Sequence, residues 1–209
     1  MFTGLIEHVG VVAGLDAIGS GYRLAIDTTL AAGLKDGDSV ACNGVCLTVV
    51  SRSDRQFATE IGPETARVTT LGALRPGRLV NLERPMRPDG HMGGHFVLGH
   101  VDATGVLTEI REDGEFWWIR VAFAPAFAPY FIPKGSVAVD GISLTVAGLY
   151  ERDFTVQLIP FTMDHTNLRG LKAGDRVNLE VDVIGKYVVR VAQLSGAWPS
   201  VPVLPPSAS

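Results

Sequence analysis

The sequence predicts an all-β chain of two tandem six-stranded barrels, each a copy of one unit, followed by a C-terminal α-helix. Three observations predict it. First, SVACNGVCLTV at 39–49 reappears as SVAVDGISLTV at 136–146, an offset of 97 residues. The match runs without a gap to VNLE at 80–83 over VNLE at 177–180. It gives about 19 identities over about 46 positions, far above chance for an ungapped match of that length. Second, each copy carries a hairpin dipeptide between β-rich runs, Asn43-Gly44 and Asp140-Gly141. A type I′ turn needs positive φ at both central residues, which Asn, Asp and Gly tolerate. Third, 24 of 209 residues are glycine, above the usual share of about 7%, so tight turns are frequent.

The elements follow in chain order. Gly4, Leu5, Ile6 and Glu7 align at offset 95 with Gly99, His100, Val101 and Asp102, so both units open on a similar lead-in. The runs 40–42 and 45–50 flank the first hairpin turn, and 137–139 and 142–146 flank the second. Runs at 116–121 and 154–159 are also β-rich. About six short strands per unit, separated by turns, suggest a small closed barrel. Segments 64–67 and 162–165 each follow a strand and a proline, and are expected as single helical turns. Pro85, Pro88 and Gly90 break regular structure between the copies. Ile184, Tyr187, Val188 and Val191 follow the i, i+3, i+4, i+7 spacing of one helical face. Such a face needs cover from its own barrel or from another subunit. The resulting division is a first barrel at 1–86, a second at 87–183, a helix at 184–196 and a loose Pro- and Ser-rich tail at 197–209.

Composition excludes several classes. Hydrophobic residues make up 46% and charged residues 19%, too apolar a balance for a disordered chain. A net charge of −4 gives no electrostatic reason to expect nucleic acid or an anionic membrane. Residues 1–7 lack the basic start of a signal peptide, and no apolar run approaches the roughly 20 residues of a spanning helix. Cys42 and Cys46 bracket the first hairpin turn, which sets Cys42 opposite Val45 and disfavours a disulfide. A reducing cytoplasm fits best. His91, His95 and His100 have a spacing that would bind metal only on a helix, and Gly90, Gly93, Gly94 and Gly99 argue against one. No metal site is expected.

Several motifs together resemble the riboflavin synthase family. They are Met1-Phe2-Thr3-Gly4, the run from Asn43 to Val49, Gly93-Gly94-His95, Gly99-His100-Val101-Asp102, Lys134-Gly135, the run from Asp140 to Val146, and Ile159-Pro160 with Thr162. The resemblance covers Met1 to about Leu194. It implies two similar Greek-key barrels and a terminal helix that helps to hold a homotrimer. It implies a dismutation in which one 6,7-dimethyl-8-ribityllumazine gives a four-carbon unit to another. The products are riboflavin and 5-amino-6-(ribitylamino)uracil, with no metal or organic cofactor. Each barrel would bind one lumazine, and the reactive site would form where the N-barrel of one subunit meets the C-barrel of its neighbour. Association with lumazine synthase stays open. A non-catalytic antenna-type lumazine or flavin binder shares the fold and is the alternative. The flavin-binding barrel of reductases would require a nicotinamide domain for which the chain has no length.

Two identical substrates in different roles call for copies that share binding groups and differ at reactive ones. The repeat shows that split. Ser39 with Ser136, Thr48 with Thr145 and Thr65 with Thr162 are shared hydroxyls, able to bond a ring edge or a polyol. Cys46 against Ser143, Asn43 against Asp140 and Leu5 against His100 differ, and bring a thiol, a carboxylate and an imidazole. The resemblance implies that Ser39 or Cys46 polarises or attacks the reacting ring carbon. The plainer reading of Cys46 is a small packed thiol. His100 would move a proton at the 7-methyl group, with His95 as a second family histidine. Asp140 is both a candidate catalytic group and a turn residue.

Substrate contacts implied in the first barrel are Leu47, Thr48, Ile61, Gly62, Glu64 and Thr65. In the second they are Lys134, Ser143, Leu144, Thr145, Ile159, Pro160 and Thr162, with Asp182 accepting bonds from the ribityl hydroxyls. The lead-ins would add Phe2, Thr3, Gly4, Leu5 and Ile6, and Gly99 and Val101. Trp117 and Trp118 read as packing residues rather than ring-stacking ones. The chain departs from the common family pattern at Val45, Leu98, Phe161 and His165.

Overall fold

The computed structural model describes residues 1–197. The first half contains β1 (His8–Ile18), β2 (Gly21–Asp27), β3 (Ser39–Cys42), β4 (Val45–Arg52), β5 (Gln56–Ile61), the short helix α1 (Pro63–Val68) and β6 (Leu79–Glu83). The strands close into a barrel in the order β1-β2-β5-β4-β3-β6. The second half contains β7 (Ala103–Asp113), β8 (Phe116–Ala122), β9 (Ser136–Val139), β10 (Ile142–Thr145), β11 (Gly148–Leu149), β12 (Asp153–Leu158), the short helix α2 (Pro160–Asp164) and β13 (Arg176–Val181). The helix α3 (Val183–Leu194) follows.

The second half has seven strands where six were expected, in the order β10-β9-β13-β7-β8-β12-β11. The cause lies in one strand. In the first half, β4 leaves its pairing with β3 and joins β5 through a β-bulge between Val49 and Ser51. At the matching point in the second half, the Val146 amide bonds Gly135 and the Ala147 amide bonds Thr155. The same change of partner thus breaks the strand into β10 and β11 and leaves a curled sheet rather than a closed one.

Both hairpin turns have the expected geometry. Asn43 and Gly44 have φ of 45° and 76°, and Asp140 and Gly141 have φ of 45° and 79°. The two-residue turn sets the register, so Cys42 pairs with Val45 as the sequence predicts. Alternation then divides β4. Val45, Leu47 and Val49 point into the first core, and Cys46 and Thr48 point out. In β10, Ile142 and Leu144 point in while Ser143 and Thr145 point out. Phe57 with Leu24, Ile26 and Leu82 fills the barrel, and Phe154 with Leu107, Ile119 and Leu158 fills the hollow of the curled sheet. Barrels of this size are filled by their own side chains, so a ligand must sit on an outer surface.

The halves meet along a seam related by approximate twofold symmetry. Phe2 and Val97 form an antiparallel bridge, and with Ala41 and Ala138 they make a third, smaller core. The hairpin tips touch: a Cβ on Gly44 would lie 2.7 Å from the Gly141 nitrogen, and the converse is also 2.7 Å. Only glycine fits at either tip.

In α3, the Asp182 side chain caps the first turn by accepting from the Ile184 amide at 2.9 Å. Its predicted apolar face is not packed on its own barrel: Ile184, Tyr187, Val188 and Val191 are each more than half exposed, and Val189 turns inward instead. No helix among the described residues is long and apolar enough to cross a membrane. The tail expected at 197–209 lies, from residue 198 on, outside the described residues.

Candidate functional site

Cross-strand pairing decides which side chains share the outer surface. Ser39 pairs with Thr48 and Ala41 with Cys46, so Ser39, Cys46 and Thr48 lie on one outer face of the first hairpin. Ser143 and Thr145, paired with Ala138 and Ser136, form the matching face of the second. In chain order each hairpin is followed by one of the short helices. Gly62 precedes α1, which carries Glu64 and Thr65, and Ile159 precedes α2, which carries Pro160 and Thr162.

The two halves exchange their lead-ins. The Cys46 amide donates to the Gly99 carbonyl at 2.9 Å, and the Ser143 amide donates to the Gly4 carbonyl at 2.8 Å. The lead-in of each half therefore lies on the hairpin of the other. Packing agrees, since Val101 rests on the first core and Ile6 on the second. Both glycines adopt the left-handed conformation, with φ of 79° at Gly99 and 78° at Gly4. A Cβ on Gly99 would lie 2.5 Å from the Cys46 Cβ, and one on Gly4 2.6 Å from the Ser143 Cβ.

Two buried glutamates anchor these crossings. Glu83 accepts from the Thr3 amide at 2.7 Å, the Thr3 hydroxyl at 2.8 Å and the Gly4 amide at 3.0 Å. Glu180 accepts from the amides of Leu98 at 2.6 Å and Gly99 at 3.0 Å. Burial pushes both carboxyls above the usual carboxylate range, and the amide donors pull them back.

His95 is buried, with its Nδ1 2.7 Å from the Ser143 hydroxyl and, among the described residues, no hydrogen-bond partner at Nε2. Burial lowers its pKa, against the opposing pull of the Asp182 carboxylate. The imidazole is thus neutral near pH 7 and able to accept a proton from the hydroxyl or hold its direction. His100 and Leu5, equivalent in the repeat, are both exposed beside their crossings. Cys46 is half-buried, whereas Cys42 is fully buried and its thiol pKa is driven far up by desolvation.

Asp140 lies apart from these groups, inside the seam. Its Oδ1 accepts from the Asn178 amide at 2.7 Å and its Oδ2 from the Asn167 side chain at 2.8 Å. Asn43 makes the equivalent bond with the Asn81 amide at 2.8 Å. The side chains of Asn81 and Asn178 cross to the opposite turn, bonding the carbonyls of Asp140 at 2.9 Å and Asn43 at 2.8 Å. Burial pushes the Asp140 carboxyl up to about 6. Its neighbours make it a seam residue that fastens the turn; none of its bonds reaches Cys46, Ser143 or a candidate histidine.

Other expected contacts divide by position. Leu47, Ile61 and Leu144 face the cores, so only their backbones can reach a ligand. Phe2 is wholly buried on the seam. Glu64 is held by Arg67 at 2.6 Å, which keeps its carboxyl below the usual range. Lys134 is exposed, in a left-handed backbone conformation. Trp117 packs on the second core, and Trp118 bonds Asp113 at the surface. Thr3, Leu5 and Ser39 line a cleft of about 690 Å³ together with Glu83 and the linker residues 85–87. That volume suits a small organic molecule. Sequence reasoning assigned no role to Glu83, Glu180, Asn81 or Asn178. The available signal was the repeated VNLE motif, which holds all four.

Comparison with known proteins fits this geometry. A family model described as lumazine binding domain matches residues 3–85 and again 98–182. The riboflavin synthase of Mycobacterium bovis is 47% identical over 202 residues, covering 94% of this chain and 100% of that protein. The riboflavin synthase of Actinobacillus pleuropneumoniae is 44% identical over 191 residues, covering 90% of this chain and 88% of that protein. Among solved structures, LumP complexed with riboflavin matches with a TM-score of 0.80 at 21% identity, covering 87% of this chain and 99% of that one. LumP complexed with 6,7-dimethyl-8-(1'-D-ribityl) lumazine matches with a TM-score of 0.79 at 20% identity, over the same shares of the two chains. These two likenesses concern the fold.

Proposed function

The chain belongs to the riboflavin synthase family and has riboflavin synthase activity, and on that premise we propose that each outer hairpin face binds one 6,7-dimethyl-8-ribityllumazine. One molecule gives its four-carbon unit to the other, leaving riboflavin and 5-amino-6-(ribitylamino)uracil. The observation that carries this reading is the pair of equivalent faces, alike in hydroxyls at Thr48 and Thr145 and unlike at Cys46 and Ser143. Equal scaffolds hold equal substrates, and unequal side chains give them unequal roles. Cys46, with Ser39 on the same face, polarises or attacks the reacting ring carbon. His100 takes a proton at the acidic 7-methyl group, and the neutral His95 orients the Ser143 hydroxyl. Asp182, Thr65 and Thr162 accept or donate bonds to the ribityl chain.

The reacting pair is assembled between chains, with one substrate on the first hairpin face of one protomer and the other on the second hairpin face of its neighbour. The exposed apolar face of α3, at Ile184, Tyr187, Val188 and Val191, supports a homotrimer in which the N-barrel of one protomer meets the C-barrel of the next. Holding two substrates face to face turns a bimolecular step into an effectively intramolecular one. Both cysteines are free thiols, which supports a reducing, cytoplasmic location.

The test is incubation of the purified protein with 6,7-dimethyl-8-ribityllumazine while riboflavin absorbance is followed. Riboflavin accumulation is expected. Tight binding of the lumazine without turnover would favour an antenna-type carrier. A chain ending before Ile184 is expected to sediment as a monomer with little activity; a fully active monomer would rule out the shared site.

A further inference from the structure

We propose that Glu180 is the positioning residue for Cys46, and Glu83 the positioning residue for Ser143; this rests on the roles given to those two side chains above. Both glutamates are almost fully buried, at 3% and 4% exposure. A buried carboxylate needs donors on its oxygens, and here they are the two consecutive amides that end at the crossing glycine. That glycine's carbonyl then takes the amide of the reactive residue itself. From carboxylate to Cys46 or Ser143 the path is two hydrogen bonds and one left-handed glycine. The near-contact of Gly99 with the Cys46 Cβ leaves it little slack.

Each path crosses the seam. Glu180 stands on β13 of the second half and fixes the thiol of the first; Glu83 stands on β6 of the first half and fixes the hydroxyl of the second. The surroundings differ in one respect. Beside Glu83, Glu7 is held by Arg84, the next residue along the chain, at 2.7 Å. Beside Glu180, Asp102 is held by Lys186, which comes from α3, at 2.7 Å. The helix with the uncovered apolar face is therefore connected to the backbone at Cys46 through Lys186, Asp102 and the lead-in, whereas toward Ser143 it acts only on the side chain, through the carboxylate of its cap residue Asp182 beside His95.

The test pairs Glu180→Gln with Glu83→Gln in the full-length protein. Glutamine keeps the shape but turns one acceptor into a donor facing an amide. Two readouts are needed: steady-state kinetics with the lumazine, and the rate of thiol alkylation by iodoacetamide. Cys42 is buried, so alkylation of the folded protein reports Cys46. Both variants are expected to lose about tenfold or more in kcat, with KM within about twofold of wild type. Only Glu180→Gln is expected to raise the Cys46 alkylation rate, by about threefold or more, as the turn loosens. Equal alkylation changes in both variants, or a change in neither, would reduce the glutamates to general seam stability and overturn the proposal. If Glu180→Gln does not fold, Lys186→Met is expected to shift alkylation in the same direction by less, and an unchanged rate there would count against the proposal. Absence of riboflavin formation by the wild type would defeat the functional reading alone, since the alkylation comparison needs no turnover.

Discussion

The first barrel presents Ser39, Cys46 and Thr48 on one outer face, and the second presents Ser136, Ser143 and Thr145 at the same register. Both faces are crossed by a lead-in from the opposite half, held there by a buried glutamate and ended by a left-handed glycine. The differences are confined to few places. A thiol stands against a hydroxyl, Leu5 against His100, and Asn43 against Asp140. At the rim, Glu64 is tied to Arg67 in one half, while Phe161 stacks on His165 at 4.0 Å in the other. Backbone support is therefore common to both halves, and the chemistry resides in side chains that the support merely presents. Two of the departures from the family pattern, Phe161 and His165, form that stack with each other, so they are better read as one exchange than as two.

The comparison can be broken first at the seam. Asp140 holds more protons in the folded protein than in the unfolded chain between pH 4 and its folded value of about 6. Stability from this group is full below pH 4 and is lost as pH rises through that window, on the order of 3 kcal/mol. Asp140→Asn makes the two turns alike and removes the titration. Relative to wild type it should gain stability as pH rises from 4 to 6, read from urea midpoints at each pH. A constant difference between the two proteins would mean that the seam holds Asp140 charged throughout.

The comparison is sharpened next at the reactive pair. Cys46→Ser gives both hairpins the same outer side chain. It is expected to lower kcat about a hundredfold while the fold stands, because a hydroxyl is a poorer nucleophile than a thiol. Activity within tenfold of wild type would show that the thiol is only a packed side chain. Smaller effects are expected at the crossings. Gly99→Ala and Gly4→Ala each force a Cβ into the opposite hairpin at positive φ, at about 2 kcal/mol apiece. Urea denaturation should give nearly equal losses, and a clear inequality would show that one crossing is tighter than the other.

Much of the architecture was legible in the sequence because it is set locally. Two residues fix a hairpin turn, the turn fixes the register, and the register determines that Cys46 points out while Leu47 points in. The helix face was legible from its spacing, and so was its need for cover. What the sequence concealed depends on distant partners. Glu83 meets Thr3 across 80 positions, and no periodicity encodes that meeting. The lead-in exchange is invisible for the same reason: the repeat shows that Gly4 and Gly99 are equivalent, not which hairpin each one touches. Asp140 was ambiguous because chemical reactivity and turn preference favour the same residue type. Only its burial against Asn167 and Asn178 separates the two. The break between β10 and β11 was hidden because the same change of partner is absorbed as a bulge in β4.

The exchanged lead-ins also bear on how the chain is made. A ribosome delivers β1 to β6 first, and those strands pair only with one another. The amide of Cys46 has no protein partner at that stage, because Gly99 is still being synthesised more than fifty residues later in the chain. The second hairpin has no such wait, since Gly4 has been present from the start. The hairpin that emerges first therefore waits for residues beyond the linker before its Cys46 amide is paired, whereas the second finds its partner as it emerges.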